Sequence, residues 1–324
     1  MNIIEEIKYP IQKELDEFKS LFDMSLAAEN TLLNGALAYI KRRNGKMMRP
    51  ILVMLIAKLY GEVTQSTKHV ALSLELLHTA SLVHDDIVDE SDERRGQKSV
   101  NAVYDNKVSV LVGDYMLATS LYHAACTGKV SLVEIVSKLG QNLAQGEIIQ
   151  LSSTNNTDFS EDVYYDVIRK KTAALFAASA ESGAVSVDAS ADEVATASLF
   201  GEYLGIAFQI KDDIFDYFDN KEIGKPTGND MAEGKLTLPA LYVLNKLHDE
   251  TLDKMALKVR ALDATHDEIA SFVDIIKANG GIEYAEKIMY DYRNKALALI
   301  PASTRGELVN ALTAYIDYVI DRKV

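Results

Sequence analysis

Three aspartates, Asp85, Asp86 and Asp89, stand at positions i, i+1 and i+4 directly after a long apolar run. On a helix, positions i and i+4 share a face, so Asp85 and Asp89 are predicted to project in the same direction. Like charges at this spacing oppose a helix by about 0.2–0.5 kcal/mol per pair. Because a bound cation would offset that repulsion, the spacing predicts a metal site at the end of this helix.

The same pattern occurs a second time, at Asp212, Asp213 and Asp216, again after an apolar run. Gln209 precedes Asp212 by one helical turn and is predicted to lie on the same side. A single cluster is typical of a solvated helix end, but two copies favour a metal site. Carboxylates without a thiolate or imidazole array suit a hard cation, and Mg²⁺ usually combines one or two carboxylates with substrate phosphates.

Basic residues are few for so acidic a chain, and they occur in small groups. Lys46 and Arg49 stand at a predicted helix entrance, where free backbone N–H groups also favour anions. The other groups are Arg94-Arg95, Lys170-Lys171-Thr172, Lys225 and Lys235. Each alone is typical of a solvated charge. Together with the aspartates they indicate diphosphate groups, held by basic side chains and by Mg²⁺.

Helical periodicity covers nearly the whole chain. The pattern predicts helices at about 67–90, 108–127, 131–151, 161–185, 192–218, 238–247, 252–262, 266–279, 282–299 and 304–322. Another helix is predicted to begin at Pro50 and end at Gly61. No segment alternates with a period of two between turn signals, so the sequence predicts an all-α fold with essentially no sheet.

Composition narrows the class of protein. The chain has 324 residues, 48% of them hydrophobic, and no linker or repeat, which predicts one domain over residues 1–324. The net charge of −14 (34 basic against 48 acidic residues) disfavours nucleic-acid binding. One cysteine, Cys126, is compatible with a reducing compartment. No secretory signal or membrane-length apolar run is evident, so we expect a soluble, cytoplasmic protein.

In this order, the motifs resemble those of the trans-isoprenyl diphosphate synthases, the polyprenyl synthetases. The resemblance runs nearly end to end over Gly-Lys-x-x-Arg-Pro, the two aspartate clusters, Arg94-Arg95-Gly96, Gly113-Asp114, Lys171-Thr172 and Gly234-Lys235. It implies a helical bundle around a deep central cavity, usually a homodimer. Asn44 and Met47 replace the glycine and basic residue often seen beside Lys46, which puts the strength of diphosphate binding there in doubt.

The resemblance also implies roles for individual residues. The Mg²⁺ ligands at the allylic diphosphate would be Asp85, Asp86, Asp89, Asp212, Asp213 and Asp216. Contacts to the allylic diphosphate would come from Arg94, Lys171 with its neighbour Thr172, Gln209, Lys225 and Lys235. Isopentenyl diphosphate would be bound by Lys46, Arg49, His78 and Arg95. The implied reaction is ionisation of the allylic diphosphate and attack by isopentenyl diphosphate, with Asp85, Asp86, Asp89, Lys171, Asp212 and Asp213 as the catalytic group.

Product length is predicted from the residues one turn before the first cluster. Ala80 and Ser81 are small, and Leu77 lies deeper on the same helix. In similar enzymes with short products an aromatic side chain closes the cavity at this level. The small residues therefore favour a long all-trans polyprenyl diphosphate, such as serves quinone side chains. The alternative is that they only allow close helix packing.

Other functions stay open at this point. A terpenoid cyclase would use similar aspartates but would not need the second basic group at Lys46, Arg49 and Arg95. A non-catalytic partner subunit is expected to lose aspartates, and all six are present. A short-chain farnesyl or geranylgeranyl synthase, or the catalytic subunit of a heteromeric synthase, is the remaining alternative. Transient membrane association is expected when an apolar product leaves.

Overall fold

The structure, a computed structural model, describes residues 2–42, 47–94, 96–153, 159–218 and 227–321. Its helices are α1 (Ile3–Lys8), α2 (Gln12–Ser25), α3 (Thr31–Arg42), α4 (Met48–Tyr60), α5 (Gln65–Val88), α6 (Val100–Tyr104), α7 (Asn106–Cys126), α8 (Val130–Ser153), α9 (Glu161–Ile168), α10 (Ala174–Ser186), α11 (Ala191–Phe215), α12 (Asn229–Ala232), α13 (Leu238–Leu247), α14 (Glu250–Arg260), α15 (His266–Ala278), α16 (Gly281–Ala298) and α17 (Gly306–Ile320).

Besides these α-helices, the described residues include two short helical connections and one β-hairpin. A 3₁₀ turn, Tyr9–Ile11, joins α1 to α2, and a π-helical segment, Arg169–Ala173, joins α9 to α10. The hairpin is antiparallel and consists of β1 (Glu93–Arg94) and β2 (Gln97–Lys98). The all-α prediction is therefore confirmed. No helix among these described residues combines the length and apolarity needed to cross a membrane.

The chain divides into two compact units. The first consists of Met1–Gln141, Leu175–Gly201 and Leu299–Tyr315, and the second of Asn142–Ala174, Glu202–Ala298 and Ile316–Val324. The single domain predicted over residues 1–324 concerns both units together and stays a prediction.

The core of the first unit is built around α4 and α5. Side chains are buried at every position from Ile51 to Ala57, so α4 is enclosed on all sides. Helix α5 packs along α7, and in the middle of that contact Ser73 and Ser120 are fully buried. Each serine hydroxyl donates to the other's backbone carbonyl, at 2.8 and 2.7 Å. These bonds satisfy polar groups that would otherwise be costly to bury.

Small residues in α10 serve close packing. Ala180 and Ser179 are fully buried. A Cβ on Gly201 of α11 would lie 2.3 Å from the backbone oxygen of Phe176, so only glycine fits there. The two backbones therefore approach at a distance that a larger side chain would prevent.

The second unit packs α13 against α16 and α15. Pro239 lies in the first turn of α13, where its missing N–H has no intrahelical partner to lose. The rings of Tyr242 and Tyr284 stack at 4.1 Å with an interplanar angle of 9°. Phe272 and Ile276 of α15 are fully buried in the same core. This packing holds the segments that follow the second aspartate cluster.

Candidate active site

The first aspartate cluster occupies the last turn of α5. Asp86 is 2% exposed, whereas Asp85 is half-buried and Asp89 is exposed. Asp89 lies just beyond the helix, yet its N–H still donates to the Asp85 carbonyl oxygen at 2.8 Å. The predicted helix extended to residue 90, so the structure ends it two residues earlier and makes the third aspartate its cap.

Arg94, a predicted substrate contact, reaches the cluster from the β1–β2 hairpin. Its Nε donates to Oδ1 of Asp86, and the two groups form an ion pair. Asn101 supports the connecting loop by donating to the Ser91 carbonyl at 3.2 Å. Arg95, predicted to bind isopentenyl diphosphate, lies outside the described residues. The short hairpin β1–β2 orients Arg94 toward Asp86.

The Gly113-Asp114 motif has a direct structural reason. A Cβ at Gly113 would lie 2.2 Å from Nε2 of His84, so the absence of a side chain makes room for the imidazole. The same Nε2 lies 3.5 Å from Oδ1 of Asp114 and 3.3 Å from the Val110 carbonyl oxygen. His84 immediately precedes Asp85, so α7 fixes the helix turn that carries the first cluster.

The second cluster belongs to a hydrogen-bonded network in the second unit. Thr172 Oγ1 donates to Oε1 of Gln209 at 2.6 Å, and Nε2 of Gln209 donates to Oδ1 of Asp213 at 2.8 Å. The hydroxyl of Tyr164 donates to Oδ2 of Asp213 at 2.5 Å. The structure thus brings together three of the predicted site residues around one buried carboxylate.

Tyr164 received no role from the sequence, yet its hydroxyl is hydrogen-bonded directly to the second cluster. It comes from α9 and is 8% exposed, and burial beside Asp213 raises its pKa far above the ordinary value, so the hydroxyl keeps its proton. Tyr164 precedes Lys171 by seven residues, and residues two turns apart share a helix face. The seven-residue spacing between Tyr164 and Lys171 is the feature of the sequence that could have placed Tyr164 near the site.

We expect Tyr164→Phe to lower kcat by about tenfold, because the substitution removes one hydrogen bond to a buried carboxylate and such bonds contribute about 1.5–3 kcal/mol. The measurement is incorporation of labelled isopentenyl diphosphate across a range of Mg²⁺ concentrations. Tyr165→Phe is the matched control, because that neighbouring ring is half-buried and packs on Tyr164 at 5.4 Å. Equal losses in the two variants would contradict a role specific to the Tyr164 hydroxyl.

Burial raises the pKa of the Asp213 carboxyl to about 8, and the nearby Asp230 carboxylate acts in the same direction. The hydrogen bonds from Tyr164 and Gln209 oppose this rise. The metal-free folded protein therefore holds a proton on Asp213 over a pH range in which the unfolded chain has lost it. A bound cation would take the place of that proton.

The raised pKa of Asp213 makes the metal-free folded protein less stable as the pH rises. The ordinary pKa is 3.8, so the stabilising proton is fully present below that pH and is lost as the pH rises through about 8. We expect the Tm of chelator-treated protein to fall as the pH rises from about 4 to about 8, the window between these two pKa values, and to show no further fall from this group above it. Asp213→Asn should flatten this part of the slope in thermal scans. A slope unchanged by the substitution would assign the pH dependence to other groups.

Asp216, the third aspartate of the second cluster, caps the short helix α12. Its Oδ1 accepts from the backbone N–H of Asn229 at 3.1 Å and its Oδ2 from that of Asp230 at 3.0 Å. Asp216 itself follows the last residue of α11, as Asp89 follows α5. Each carboxylate oxygen keeps a second lone pair, so this capping leaves room for a metal. Its assignment as a ligand stays a prediction.

Two of the predicted lysines, Lys171 and Lys235, are ion-paired. Nζ of Lys171 lies 2.6 Å from Oε2 of Glu147, and Nζ of Lys235 lies 2.5 Å from Oε2 of Glu233. Lys171 stands in the π-helical segment Arg169–Ala173, within a stretch that the sequence predicted as one continuous helix. Single π turns inside helices are frequent at functional sites. Lys46 and Lys225, the other predicted lysines, lie outside the described residues.

Arg49, predicted to bind isopentenyl diphosphate, lies at the start of α4. Its Nη1 is 3.7 Å from Oε2 of Glu75, and its buried Nε has no hydrogen-bond partner among the described residues. Tyr315 of α17 is fully buried beside this pair and donates to the Met48 carbonyl at 2.9 Å. His78, three residues after Glu75 on α5, is partly accessible. The unpaired Nε is the kind of donor that an anionic substrate would satisfy.

The three residues predicted to control product length differ in exposure. Ala80 is 1% exposed and Leu77 is 4% exposed, so both side chains are packed. Ser81, one turn before Asp85, keeps accessible surface. Burial at Ala80 agrees with the alternative that this residue allows close helix packing. Ser81 is the least buried of the three.

An all-α chain with an aspartate pair in the last turn of two long helices defines the isoprenoid synthase fold. The fold is shared with solved structures. A geranylgeranyl pyrophosphate synthase from Bacteroides thetaiotaomicron matches with a TM-score of 0.87 and 54% identity over 99% of this chain and 100% of that one. A polyprenyl synthase from Caulobacter crescentus CB15, complexed with calcium and isoprenyl diphosphate, matches with a TM-score of 0.89 and 28% identity over 99% and 98%.

The polyprenyl synthetase family model matches residues 30–276. Heptaprenyl diphosphate synthase component 2 of Geobacillus stearothermophilus is 34% identical over 310 residues, 94% of this chain and 96% of the relative. Octaprenyl diphosphate synthase of Escherichia coli (strain K12) is 33% identical over 276 residues, 85% of each. The chain belongs to the polyprenyl synthetase family, as its motifs predicted.

Proposed function

We propose that the protein is a prenyltransferase that condenses isopentenyl diphosphate head-to-tail with an allylic diphosphate to give an all-trans polyprenyl diphosphate. The observation that carries the proposal is the repeated arrangement of the aspartates. In α5 and in α11, a buried aspartate is held by hydrogen bonds in the last turn and a third aspartate follows the helix end. Membership in the polyprenyl synthetase family supports the same reaction.

The residues present fit a hard divalent cation. The donors are carboxylates, which is the ligand class that Mg²⁺ prefers. Burial raises the pKa of Asp213, and the Asp230 carboxylate acts in the same direction; a bound cation would offset both effects. Asp85, Asp86 and Asp89 in one cluster, with Asp212, Asp213 and Asp216 in the other, would hold the metal. When bound, Mg²⁺ would neutralise the charge that develops on the departing diphosphate.

The chain's own cations would bind the allylic diphosphate by exchanging partners. Arg94 is paired with Asp86, and Lys171 with Glu147. Diphosphate oxygens offer these side chains the same kind of charge-assisted hydrogen bond, so pairing in the free enzyme keeps the cations positioned without leaving charges unsatisfied. Gln209 and Lys235 would contribute further donors, and Lys225 is assigned by resemblance alone.

The second substrate would be held by Arg49 and His78, with Lys46 and Arg95 assigned by resemblance. The Nε of Arg49, which has no hydrogen-bond partner in the part of the chain that the structure describes, supports this assignment. Holding the alkene of isopentenyl diphosphate near the allylic carbon supplies much of the rate, because a bimolecular step becomes effectively unimolecular. The allylic C–O bond breaks, a new C–C bond forms, and the proton lost from the resulting cation goes to the released diphosphate.

We infer a long-chain product, in the class of the heptaprenyl and octaprenyl synthases that the chain resembles. The small residues before the first cluster support this inference. Ser81 supports it most directly, because it is small and partly accessible. A geranylgeranyl product is the second candidate, favoured by the 54% identity to the Bacteroides thetaiotaomicron synthase. The products of this chain, separated by length, decide between the two.

A homodimer is also proposed. Along α7, the apolar side chains of Val110, Leu111, Leu121 and Tyr122 are exposed, between 41% and 67%. These positions recur on one helix face, which a second copy of the chain would cover. One relative is named as a component, so a partner subunit is the alternative. Gel filtration with light scattering, combined with an assay of the pure chain, separates the two arrangements.

The test of the proposed function is an incubation of the pure chain with Mg²⁺, labelled isopentenyl diphosphate and an allylic primer. We expect metal-dependent elongation by five-carbon units, followed by chromatography of the dephosphorylated products. Cyclic products from the primer alone would assign the chain to the cyclases instead. Absence of elongation, both alone and with cell extract that could supply a partner, would reject the synthase proposal.

A further inference from the structure

Three side chains of the first unit, outside the aspartate clusters, lie close enough to bind one metal ion. His69 belongs to α5, and His123 and Cys126 stand three residues apart in the last turn of α7. One potential ligand atom from each lies within 4.8 Å of the other two. The two Nδ1 atoms of the histidines are 3.0 Å apart. Among the described residues searched for such groups, this cluster alone combines imidazole and thiol donors.

The hydrogen bonds around His123 direct a lone pair into the cluster. The hydroxyl of Ser25 donates its single proton to the Leu21 carbonyl at 2.8 Å. Its oxygen, 3.0 Å from Nε2 of His123, must therefore accept from that nitrogen. In a neutral imidazole the proton then stands on Nε2, so Nδ1 faces His69 with its lone pair. An outer hydrogen bond that fixes the tautomer in this way is typical of histidines that bind metals.

Both imidazoles favour the neutral form, which a metal ligand requires. Burial lowers the pKa of His69, and burial together with His69 lowers the pKa of His123. His123 is 6% exposed, whereas Cys126 is exposed and adjoins the hydroxyl of Tyr122. The cluster thus has a buried imidazole side and an open thiol side, through which an ion and its water could enter.

We propose that His69, His123 and Cys126 form a binding site for a borderline-soft divalent metal, with Zn²⁺ as the expected ion. Nitrogen and sulfur donors select this class, whereas the carboxylate clusters suit a hard cation. With Zn–N bonds of about 2.0–2.1 Å, two ligands of a tetrahedral ion stand roughly 3.3 Å apart, so the imidazoles would need to move by only a few tenths of an ångström. Water would complete the coordination.

The site would connect the beginning of α5 to the end of α7, the two helices that carry the first aspartate cluster and the Gly113-Asp114 motif. Binding converts the thiol of Cys126 to a thiolate and releases one proton to solvent. Because the folded chain brings these ligands together across more than fifty residues, an ion bound there stabilises the folded state. The competing explanation of the geometry is a plain N–H···N hydrogen bond between the two histidines.

The experiment uses the full chain, treated with a chelator and then dialysed against excess Mg²⁺ so that the carboxylates are occupied. Zn²⁺ is titrated by calorimetry, and Co²⁺ reports thiolate ligation through its charge-transfer absorption. We expect one Zn²⁺ per chain with a Kd below about 1 µM, and a higher Tm in the loaded protein. Cys126→Ser, His69→Gln and His123→Gln should each weaken binding by at least about tenfold, which is 1.4 kcal/mol.

His266→Gln is the matched control, because His266 is exposed and lies in α15, far along the chain from the cluster. Cys126→Ser changes only an exposed atom, so its result does not depend on whether the histidine variants fold. Retention of cobalt charge-transfer absorption in Cys126→Ser would overturn the three-ligand site. Equal Zn²⁺ affinity in the wild type and in all three variants would leave only the histidine hydrogen bond and also overturn it.

Discussion

Replacement of Asp85 by asparagine is expected to lower kcat for chain elongation by about 100- to 1,000-fold, the range found when one group that stabilises developing charge is removed. Asp85 is half-buried and in the last turn of α5, so the isosteric change should leave the fold intact. Asp92→Asn is the matched control, because Asp92 is an exposed carboxylate seven residues away with no predicted role. Its activity should stay within about twofold of the wild type, as expected for surface substitutions.

Asp212→Asn provides the same test in the second cluster, and the double variant tests whether the two clusters act together. Groups that act as one unit give strongly non-additive losses, so the double variant should lose far less than the product of the single losses. Product analysis over a range of Mg²⁺ concentrations gives kcat and the metal requirement. Independent, multiplicative losses would contradict the assignment of both clusters to one diphosphate.

A phenylalanine at position 81 is expected to shorten the product by several isoprene units while isopentenyl diphosphate is still incorporated. Ser81 is partly exposed one turn before Asp85, so a large ring there should disturb the packing less than one at the buried Ala80. The change should therefore act on where elongation stops rather than on the fold. Chromatography of the products gives the length, and a thermal scan gives the stability of the variant.

Ala80→Phe is the informative comparison. Ala80 is 1% exposed, so the larger ring must disturb the packing of α5, and such overpacking costs about 1–3 kcal/mol. We expect shorter products here as well, with a clearly lower Tm. Ala36→Phe, at a fully buried position of α3, controls for destabilisation alone and should leave the product length unchanged. Unchanged products in both Ser81→Phe and Ala80→Phe would reject this face of α5 as the determinant of length.

Local patterns were enough to predict most of the fold. The apolar periodicity and the position of Pro239 gave α13 with the bounds that the structure has, Leu238–Leu247. The stretch 161–185 also has continuous periodicity, yet the structure interrupts it with a π turn at Arg169–Ala173. One inserted residue in a turn barely changes a hydrophobic pattern, so the interruption is not visible in the sequence. Helices α1, α2, α6 and α12 were not predicted, and three of them, α1, α6 and α12, are six residues or shorter.

The site was predictable where the chemistry is local and not where it depends on distant residues. The aspartate triplets are readable because their spacing is a single helix turn. Tyr164 meets Asp213, and His69 meets His123, only through contacts across 49 and 54 residues of chain. The sequence also does not show which side chains are buried. Ala80 and Ser81 are both small, and only the packing of the folded chain shows that Ala80 is buried and Ser81 partly accessible. These hydrogen bonds and burial differences depend on tertiary contacts, which local sequence patterns do not show.

The capping of α12 by Asp216 also bears on how the protein can vary. Three hydrogen bonds join Asp216 to Gly228, Asn229 and Asp230, so the two ends of the sequence between them are held together. When the ends of a segment are joined in this way, the entropy of closure grows slowly, by about 0.6 kcal/mol for each doubling of its length. Insertions between positions 216 and 228 should therefore cost little and leave the aspartates in register. Length differences among homologous enzymes are expected to concentrate there.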